Sequence, residues 1–226
     1  MLTDPRLRAA QDDSCLLYLT PLGWDSPLRQ GTVWPPGGGS GTDYAEKLGL
    51  IAKVNISAAN GYFEAANPNI LAQINTVLDL AGNRGPITFL TRTYFSKGCA
   101  FFVGLPLDTY HNGIALTYNA GMLNAIMRSD GHLYDMRNIN AAGGWHTAGL
   151  LWHPGGRNKC YVDGSEVASI ANSATALKQP AGYEWIGMRA VIGTGSINTW
   201  GQMLPTAWLL IMNRILSASE IAYLSN

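Results

Sequence analysis

Two carboxylates placed close together could hydrolyse a glycosidic bond. Retaining cleavage requires a nucleophile and a proton donor about 5 Å apart, and two acids on one strand can provide them. The sequence has five glutamates, and none has a second carboxylate two or four residues away: Glu46, Glu64, Glu166, Glu184 and Glu220. We therefore predict that the protein is not an enzyme, with acids converging from distant strands as the alternative.

Nucleophilic and metal sites have equally little local support. No Gly-x-Ser-x-Gly elbow is present, although Ser/His/Asp sites assembled from distant residues stay open. His146 and His153 are seven residues apart and would face opposite ways on one strand, so we predict structural, hydrogen-bonded histidines and no metal or cofactor. The three cysteines lie in apolar runs and are predicted to be buried free thiols: Cys15, Cys99 and Cys160.

Aromatic side chains are the remaining functional signal, because sugars stack their apolar faces on such rings. The chain has seven tryptophans and ten tyrosines. Strand-like segments hold three tryptophans that we predict to be core residues: Trp145, Trp152 and Trp208. The segment 193–201 is typical of a loop at the rim of a sandwich. The predicted glycan-binding residues are Trp185, Asn198 and Trp200, with burial under loops or at a protein interface as the alternative for these rings.

Residues 145–167 predict two strands joined and followed by tight turns. Apolar residues fall on both faces of 145–152, a pattern typical of a strand buried on both sides. The chain can reverse at Pro154-Gly155-Gly156, because proline cannot donate to a ladder and glycine admits positive φ. A second strand follows at 159–162, and Asp163-Gly164 is a strong hairpin signal. Together they predict a β-meander.

Two further segments have helical patterns. Apolar residues recur at helical spacing over 69–80, which predicts a short helix interrupting the strands. Residues 217–224 predict a C-terminal helix, with Ser217 and Glu220 placed as in a capping box.

The meander resembles the Trp-His to Tyr-Val-Asp-Gly signature of laminin G-like domains, which belong to the concanavalin A-like lectin and glucanase superfamily. The segment 208–221 is similar to that family's closing strand, Asn-Arg-x-Leu-Ser turn and terminal helix. Weaker similarities imply a first strand at 16–19, a loop-to-strand entry at 60–63 and a core strand at 87–94. The resemblance implies an all-β fold: a two-sheet antiparallel jelly-roll sandwich (concanavalin A-like) with a short C-terminal helix. The domain would span 15–226, after an N-terminal arm at 1–14.

Some laminin G-like domains hold calcium at the rim of the sandwich with acid and amide side chains. The residues that could do this here are Asp108, Asn112 and Asp130. Acids in loops are more often turn formers, and Asp130-Gly131 has the composition of a hairpin turn. We therefore predict no metal site.

Charge and hydropathy exclude several classes of partner. The 15 basic residues balance 15 acidic ones and charged residues make up 13% of the chain, so we predict no nucleic-acid partner. No segment has the 18 or more apolar residues of a membrane span, and the first residues lack the apolar core of a signal peptide. We therefore predict no membrane partner and synthesis in a cytoplasm without a signal peptide.

Three classes of function compete: an enzyme, a lectin and a structural assembly protein. The lack of paired acids and of a signal peptide favours the third, by analogy with free-standing versions of this fold in tailed-bacteriophage virions. We predict a homo-oligomeric capsid decoration or tail-associated protein that contacts other virion proteins (capsid or tail). Binding of cell-surface glycans, as a lectin or receptor-binding protein, is the alternative.

The arm at 1–14 and the loop at 31–42 are the predicted docking elements. Asp4-Pro5 favours a helical turn in the arm, whose few apolar residues cannot build a core of their own. The loop is long and rich in glycine and proline, a kind of segment often kept for binding. The docking residues predicted here are Leu2, Leu7 and Trp34. A frayed terminus and a disordered loop are the alternative.

Overall fold

The computed structural model describes residues 5–10, 12–19, 56–57, 64–65, 73–78, 85–103, 113–129, 132–175, 188–191 and 202–226. Within these ranges the elements are α1 (Pro5–Ala10), β1 (Cys15–Leu19), β2 (Ile56–Ser57), β3 (Glu64–Ala65), β4 (Gln73–Leu78), β5 (Ile87–Phe95), β6 (Gly98–Val103), β7 (Gly113–Asn119), β8 (Met122–Ser129), β9 (His132–Leu133), β10 (Met136–Asn140), β11 (Gly144–Trp152), β12 (Arg157–Val162), β13 (Ser165–Ala171), β14 (Met188–Val191), β15 (Gln202–Met203), β16 (Thr206–Met212) and α2 (Ala218–Ser225). The predicted all-β fold with a short C-terminal helix is confirmed.

The first sheet has the order β1-β16-β5-β11-β12-β13 in the described part of the chain. All five neighbouring pairs are antiparallel. Among the described strands, the first, β1, lies beside the last, β16. The strands predicted at 16–19 and 87–94 are confirmed as β1 and β5. We call this the six-stranded sheet.

The second sheet has the order β10-β8-β7-β6-β14-β4, with β9 beside β8 and β15 parallel to β6. Two aromatic contacts join the inner faces of the sheets. Phe95 of the six-stranded sheet stacks on Tyr118 of the second sheet with ring centroids 4.8 Å apart. Trp152 meets the edge of Tyr134 at 5.8 Å. The two sheets therefore form a sandwich with an apolar interior.

The predicted meander is confirmed as β11, β12 and β13. From Thr147 to Trp152 every residue of β11 is buried, as expected for a strand covered on both faces. Asp163 and Gly164 form the second turn with φ angles of 47° and 81°. A Cβ on Gly164 would lie 2.9 Å from the Cα of Ala222, so glycine also lets α2 approach this turn.

The helix predicted over 69–80 is wrong for the residues that the structure describes. Residues 73–78 form β4, which pairs antiparallel with β14. The segment contains β-branched Ile74, Thr76 and Val77, which favour strands. Hydrogen bonds to a neighbouring strand outweigh the helical spacing of a few apolar residues.

The C-terminal helix and its capping box are confirmed. The Ser217 side chain accepts from the backbone N–H of Glu220, and the Glu220 carboxylate accepts from the N–H of Ser217 at 2.7 Å. The helical turn favoured by Asp4-Pro5 is found as α1. Both helices pack on the outer face of the six-stranded sheet.

Candidate functional site

Several predicted site residues lie outside the described part of the chain and stay predictions. They are the glycan ligands Trp185, Asn198 and Trp200, the docking residues Leu2 and Trp34, and the loop residues Asp108, Asn112 and Asp130. Leu7 lies in α1, where its backbone alone is described.

The two glutamates with described side chains are each held by a cation. Glu166 Oε2 accepts from Lys159 Nζ at 2.8 Å, and this bond lowers the pKa of the glutamate. Glu220 lies 2.7 Å from the guanidinium of Arg214, which, together with bonds from Ser217, lowers its pKa to about 2. Acids this easily ionised are poor proton donors at neutral pH. Within the described ranges, no group of three His, Cys, Asp or Glu is placed to hold a metal ion.

His146 is a hydrogen-bonded structural histidine, as predicted. Its Nδ1 lies 2.7 Å from a carboxylate oxygen of Asp163, and its ring packs on Phe95 with centroids 4.8 Å apart. The other oxygen of Asp163 accepts from the backbone N–H of Thr147 at 2.9 Å. The contacts of Asp163 therefore fix the turn between β12 and β13 to β11.

Two of the three cysteines, Cys15 and Cys160, have described side chains, and both are buried thiols outside any disulfide bond, as predicted. Burial raises the pKa of Cys160 to about 12. The thiolate is the nucleophilic form of cysteine, so this side chain is inert at neutral pH. Cys99 lies in β6, where its side chain is outside the described part.

The two helices cover part of the outer face of the six-stranded sheet. We call this part of the face the covered half. Its buried residues are Cys15, Tyr18, Leu90, Leu151, Tyr161, Trp208, Leu210, Met212, Leu216, Ile221 and Leu224. The helix α1 contributes Ala9, which packs against this cluster, and Arg6, whose guanidinium lies 5.6 Å from the ring centroid of Trp208. The covered half is thus a second apolar core outside the sandwich.

Arg214 joins the two ends of the described chain beside the covered half. Its guanidinium donates to Ser14 Oγ at 3.1 Å and lies 3.3 Å from the carboxylate of Asp12. The same group holds Glu220 on α2. The bonds from Ser14 and from Arg214 lower the pKa of Asp12. One cation therefore fastens the N-terminal segment to the C-terminal helix.

A neighbouring part of the same face lies beyond the helices, and we call Arg92, Tyr94 and Trp145 the open block. Tyr94 and Trp145 are directly opposite on β5 and β11, and their rings meet edge to face with centroids 5.7 Å apart. Tyr94 is 41% exposed, and Trp145 is partly exposed rather than a fully buried core residue as predicted. The reason is that α2 ends beside Thr147, to which the carbonyl of Ser225 is 3.5 Å distant.

Arg92 lies two residues before Tyr94 and therefore on the same face of the sheet. It is partly exposed and makes a 3.5 Å hydrogen bond to Thr147 Oγ1. No acid among the described residues forms an ion pair with it. A guanidinium has five N–H donors, so most of them are available to a ligand.

Sequence reasoning missed the open block, although one signal pointed to it. The spacing of two residues between Arg92 and Tyr94 places both on one face of a strand. Nothing local indicates that Tyr94 pairs with Trp145, because strand register is set by the whole sheet. Only the position of α2 shows which part of the face stays open.

The chain matches no protein-family model and no curated protein sequence. Solved structures do share its fold. The NanB sialidase of Streptococcus pneumoniae is 16% identical with a TM-score of 0.54, over 70% of this chain and 27% of the sialidase chain. The protein thus spans less than a third of that enzyme. Domain 4 of AbnA, an extracellular GH43 arabinanase of Geobacillus stearothermophilus solved with arabinotriose, is 15% identical with a TM-score of 0.53, over 76% of this chain and 81% of that domain.

These identities are low, and they establish the fold alone. The fold is a two-sheet antiparallel β-sandwich, as the resemblance to the concanavalin A-like superfamily implied. Within the described ranges, no helix is long and apolar enough to cross a membrane.

Proposed function

We propose that this protein is a non-enzymatic binding module that holds a glycan on a lectin-type sandwich. The observation that carries the proposal is the similarity in fold, over most of both chains, to domain 4 of AbnA, whose structure contains arabinotriose. The partly exposed aromatic residues Tyr94 and Trp145 supply the kind of surface on which a sugar ring stacks.

The non-enzymatic part of the proposal rests on the acids. Hydrolysis of a glycoside requires one carboxyl group that donates a proton and a second that attacks or activates water. Glu166 and Glu220 are instead occupied by Lys159 and Arg214. Both are held ionised by these contacts, so neither is suited to the role of proton donor.

A glycan array probed with the purified protein tests the proposal, together with a reducing-end assay on every glycan bound. We expect saturable binding to at least one class of glycan and no release of reducing ends. A protein that binds no neutral or acidic glycan would contradict the proposed module. Release of reducing ends that disappears in Glu64→Gln or Glu184→Gln would contradict its non-enzymatic character.

As the setting of this module we propose a virion, in which it serves as a capsid decoration or tail-associated protein. The proposal includes synthesis in the host cytoplasm, homo-oligomer formation and contact with other virion proteins. Its support is the analogy with versions of this fold in tailed-bacteriophage virions, together with two apolar side chains, Leu133 and Tyr223, that are each 57% exposed and offer a surface for a partner to cover. Light scattering and the identity of neighbouring genes test it. A monomer encoded away from capsid, portal and tail genes would argue against it.

The N-terminal arm bears on this setting, because α1 packs on the protein's own sandwich. An anchoring role for residues 1–14 requires either release of Arg214 from Asp12 or contact through exposed positions such as Arg8. Deletion of residues 2–13 tests the anchor: we expect a folded protein that no longer joins the particle. Normal incorporation of the truncated protein would show that the arm is not the anchor.

A further inference from the structure

We infer that the open block is a platform for a saccharide that carries one acidic group. This inference rests on the proposed function and adds to it a place on the fold and a ligand class. The platform consists of the Tyr94 and Trp145 rings with the guanidinium of Arg92 beside them.

The two rings are held in position by two central strands of the six-stranded sheet, each of which is paired with a neighbouring strand on both sides. Tyr94 and Trp145 stand opposite one another near the ends of β5 and β11, which pair along their whole length. The backbone N–H of Tyr94 also donates to the carbonyl of Pro205 at 2.8 Å. A surface whose backbone is fixed in this way loses little conformational entropy when a ligand binds. The edge-to-face pair therefore presents aromatic surface at fixed positions, on which the apolar face of a sugar ring can pack.

Arg92 determines the charge of the ligand. Its described hydrogen bond to Thr147 is 3.5 Å long, at the limit for such a bond, and no described acid pairs with it. By contrast, Arg128, Arg137 and Arg214 each contact a carboxylate. A guanidinium next to partly exposed aromatic rings can donate two parallel hydrogen bonds to a carboxylate or sulfate group. The block thus complements a ring with an acid substituent.

A single cation also limits the ligand to one acidic group at this place. Nucleic acids and other polyanions bind through several basic residues arranged along a surface. Arg92 is the basic side chain among the three residues of the open block. The 15 basic residues of the whole chain are balanced by 15 acidic ones. A saccharide with one carboxylate or sulfate at the contact point fits this arrangement better than a phosphate backbone.

An array of matched pairs tests the ligand class. Each uronate, sialylated or sulfated glycan is printed beside its neutral counterpart, and the strongest acidic hit is then titrated in solution. We expect the acidic member of a pair to bind and its neutral counterpart to bind at least about tenfold more weakly, because charged hydrogen bonds are strong. Affinity for the acidic glycan should fall with rising salt, since the block is partly exposed.

Substitutions in the open block test whether the ligand binds there. Arg92→Gln and Tyr94→Ala should each weaken binding of the acidic hit by roughly tenfold or more, with unchanged far-ultraviolet circular dichroism. The matched controls are Arg157→Gln, an exposed arginine elsewhere on the sheet, and Tyr223→Ala, an exposed tyrosine on α2. Both controls should bind like the wild type.

Three results would contradict the inference, and each has a different consequence for the proposed function. Binding that survives Arg92→Gln and Tyr94→Ala but is lost in Trp200→Ala would place the ligand at the sequence-predicted rim site and keep the proposed function. Equal binding of acidic and neutral partners would remove the acidic class but keep the module. No glycan binding by the wild type would remove both.

Discussion

The covered half and the open block belong to one face of one sheet, yet they differ in solvent exposure. Trp208 and Arg92 are cross-strand partners, and Trp208 is 4% exposed whereas Arg92 is partly exposed. The helices α1 and α2 cover the first and stop short of the second. The placement of two short helices, and not strand alternation, therefore decides which tryptophan is buried and which stays partly exposed.

The largest expected effect compares the two tryptophans directly. Trp208→Ala should lower the free energy of unfolding by about 3–5 kcal/mol, because it leaves a large cavity under α1. Trp145→Ala, at the partly exposed position, should cost roughly 1 kcal/mol. Urea unfolding measures both. Similar losses for the two variants would mean that the covered half and the open block are not energetically distinct.

The next effect concerns pH and the Arg214 contacts. The folded pKa of Glu220 is about 2 against an ordinary 4.5, so its ion pair stabilises the protein fully above pH 4.5 and is lost as pH falls through about 2. The lowered pKa of Asp12 acts in the same direction. Because these side chains are more than a third exposed, screening limits the Glu220 pair to about 1 kcal/mol.

Urea unfolding of the wild type and Glu220→Gln at pH 7 and pH 2 measures this effect. The wild type should be the more stable at pH 7, and the difference should shrink at pH 2. In an Arg214→Met background the same substitution should have a smaller effect at pH 7. A gap that is independent of pH would mean that the contact does not fasten the covered half.

A second substitution at Trp208 tests the contribution of its unpaired indole N–H. Its buried indole N–H has no hydrogen-bond partner in the described structure, which is a cost to the folded state. Trp208→Phe removes that group and keeps a six-membered ring, so it should lower the free energy of unfolding by less than Trp208→Ala does. Calorimetry beside Trp208→Ala measures the difference. A loss as large as that of the alanine variant would show that the full volume of the indole is needed.

The smallest expected effect on stability is that of Tyr94→Ala. The side chain is 41% exposed, and removing it should change the free energy of unfolding by about 0.5 kcal/mol or less. Its effect on glycan binding should be far larger. A destabilised Tyr94 variant would instead assign this ring to the support of the sheet.

The parts of the fold that could be predicted from sequence are those that local chemistry determines. The turn at Asp163-Gly164 and the capping box at Ser217 each depend on a few consecutive residues, and both are confirmed. The helix predicted over 69–80 is wrong at the described residues 73–78, because the strand β4 is stabilised by β14, a partner more than a hundred residues away.

The candidate site was less predictable than the fold for the same reason. The opposition of Tyr94 and Trp145 depends on the register of β5 against β11, and their exposure depends on the end of α2. Neither the strand register nor the end of α2 can be inferred from the residues that neighbour Tyr94 and Trp145 in the sequence. The rim residues Trp185, Asn198 and Trp200 stay predictions because they lie outside the described part.

The position of β16 has a consequence for how the chain is made. This strand lies between β1 and β5 in the sheet, although it follows both by more than a hundred residues. During synthesis on a ribosome, the six-stranded sheet therefore cannot be completed until residue 212 has been synthesised and has left the exit tunnel. Such non-local pairing makes folding slow, and nascent chains would expose unpaired strand edges until then. Chaperone demand during synthesis should accordingly be high.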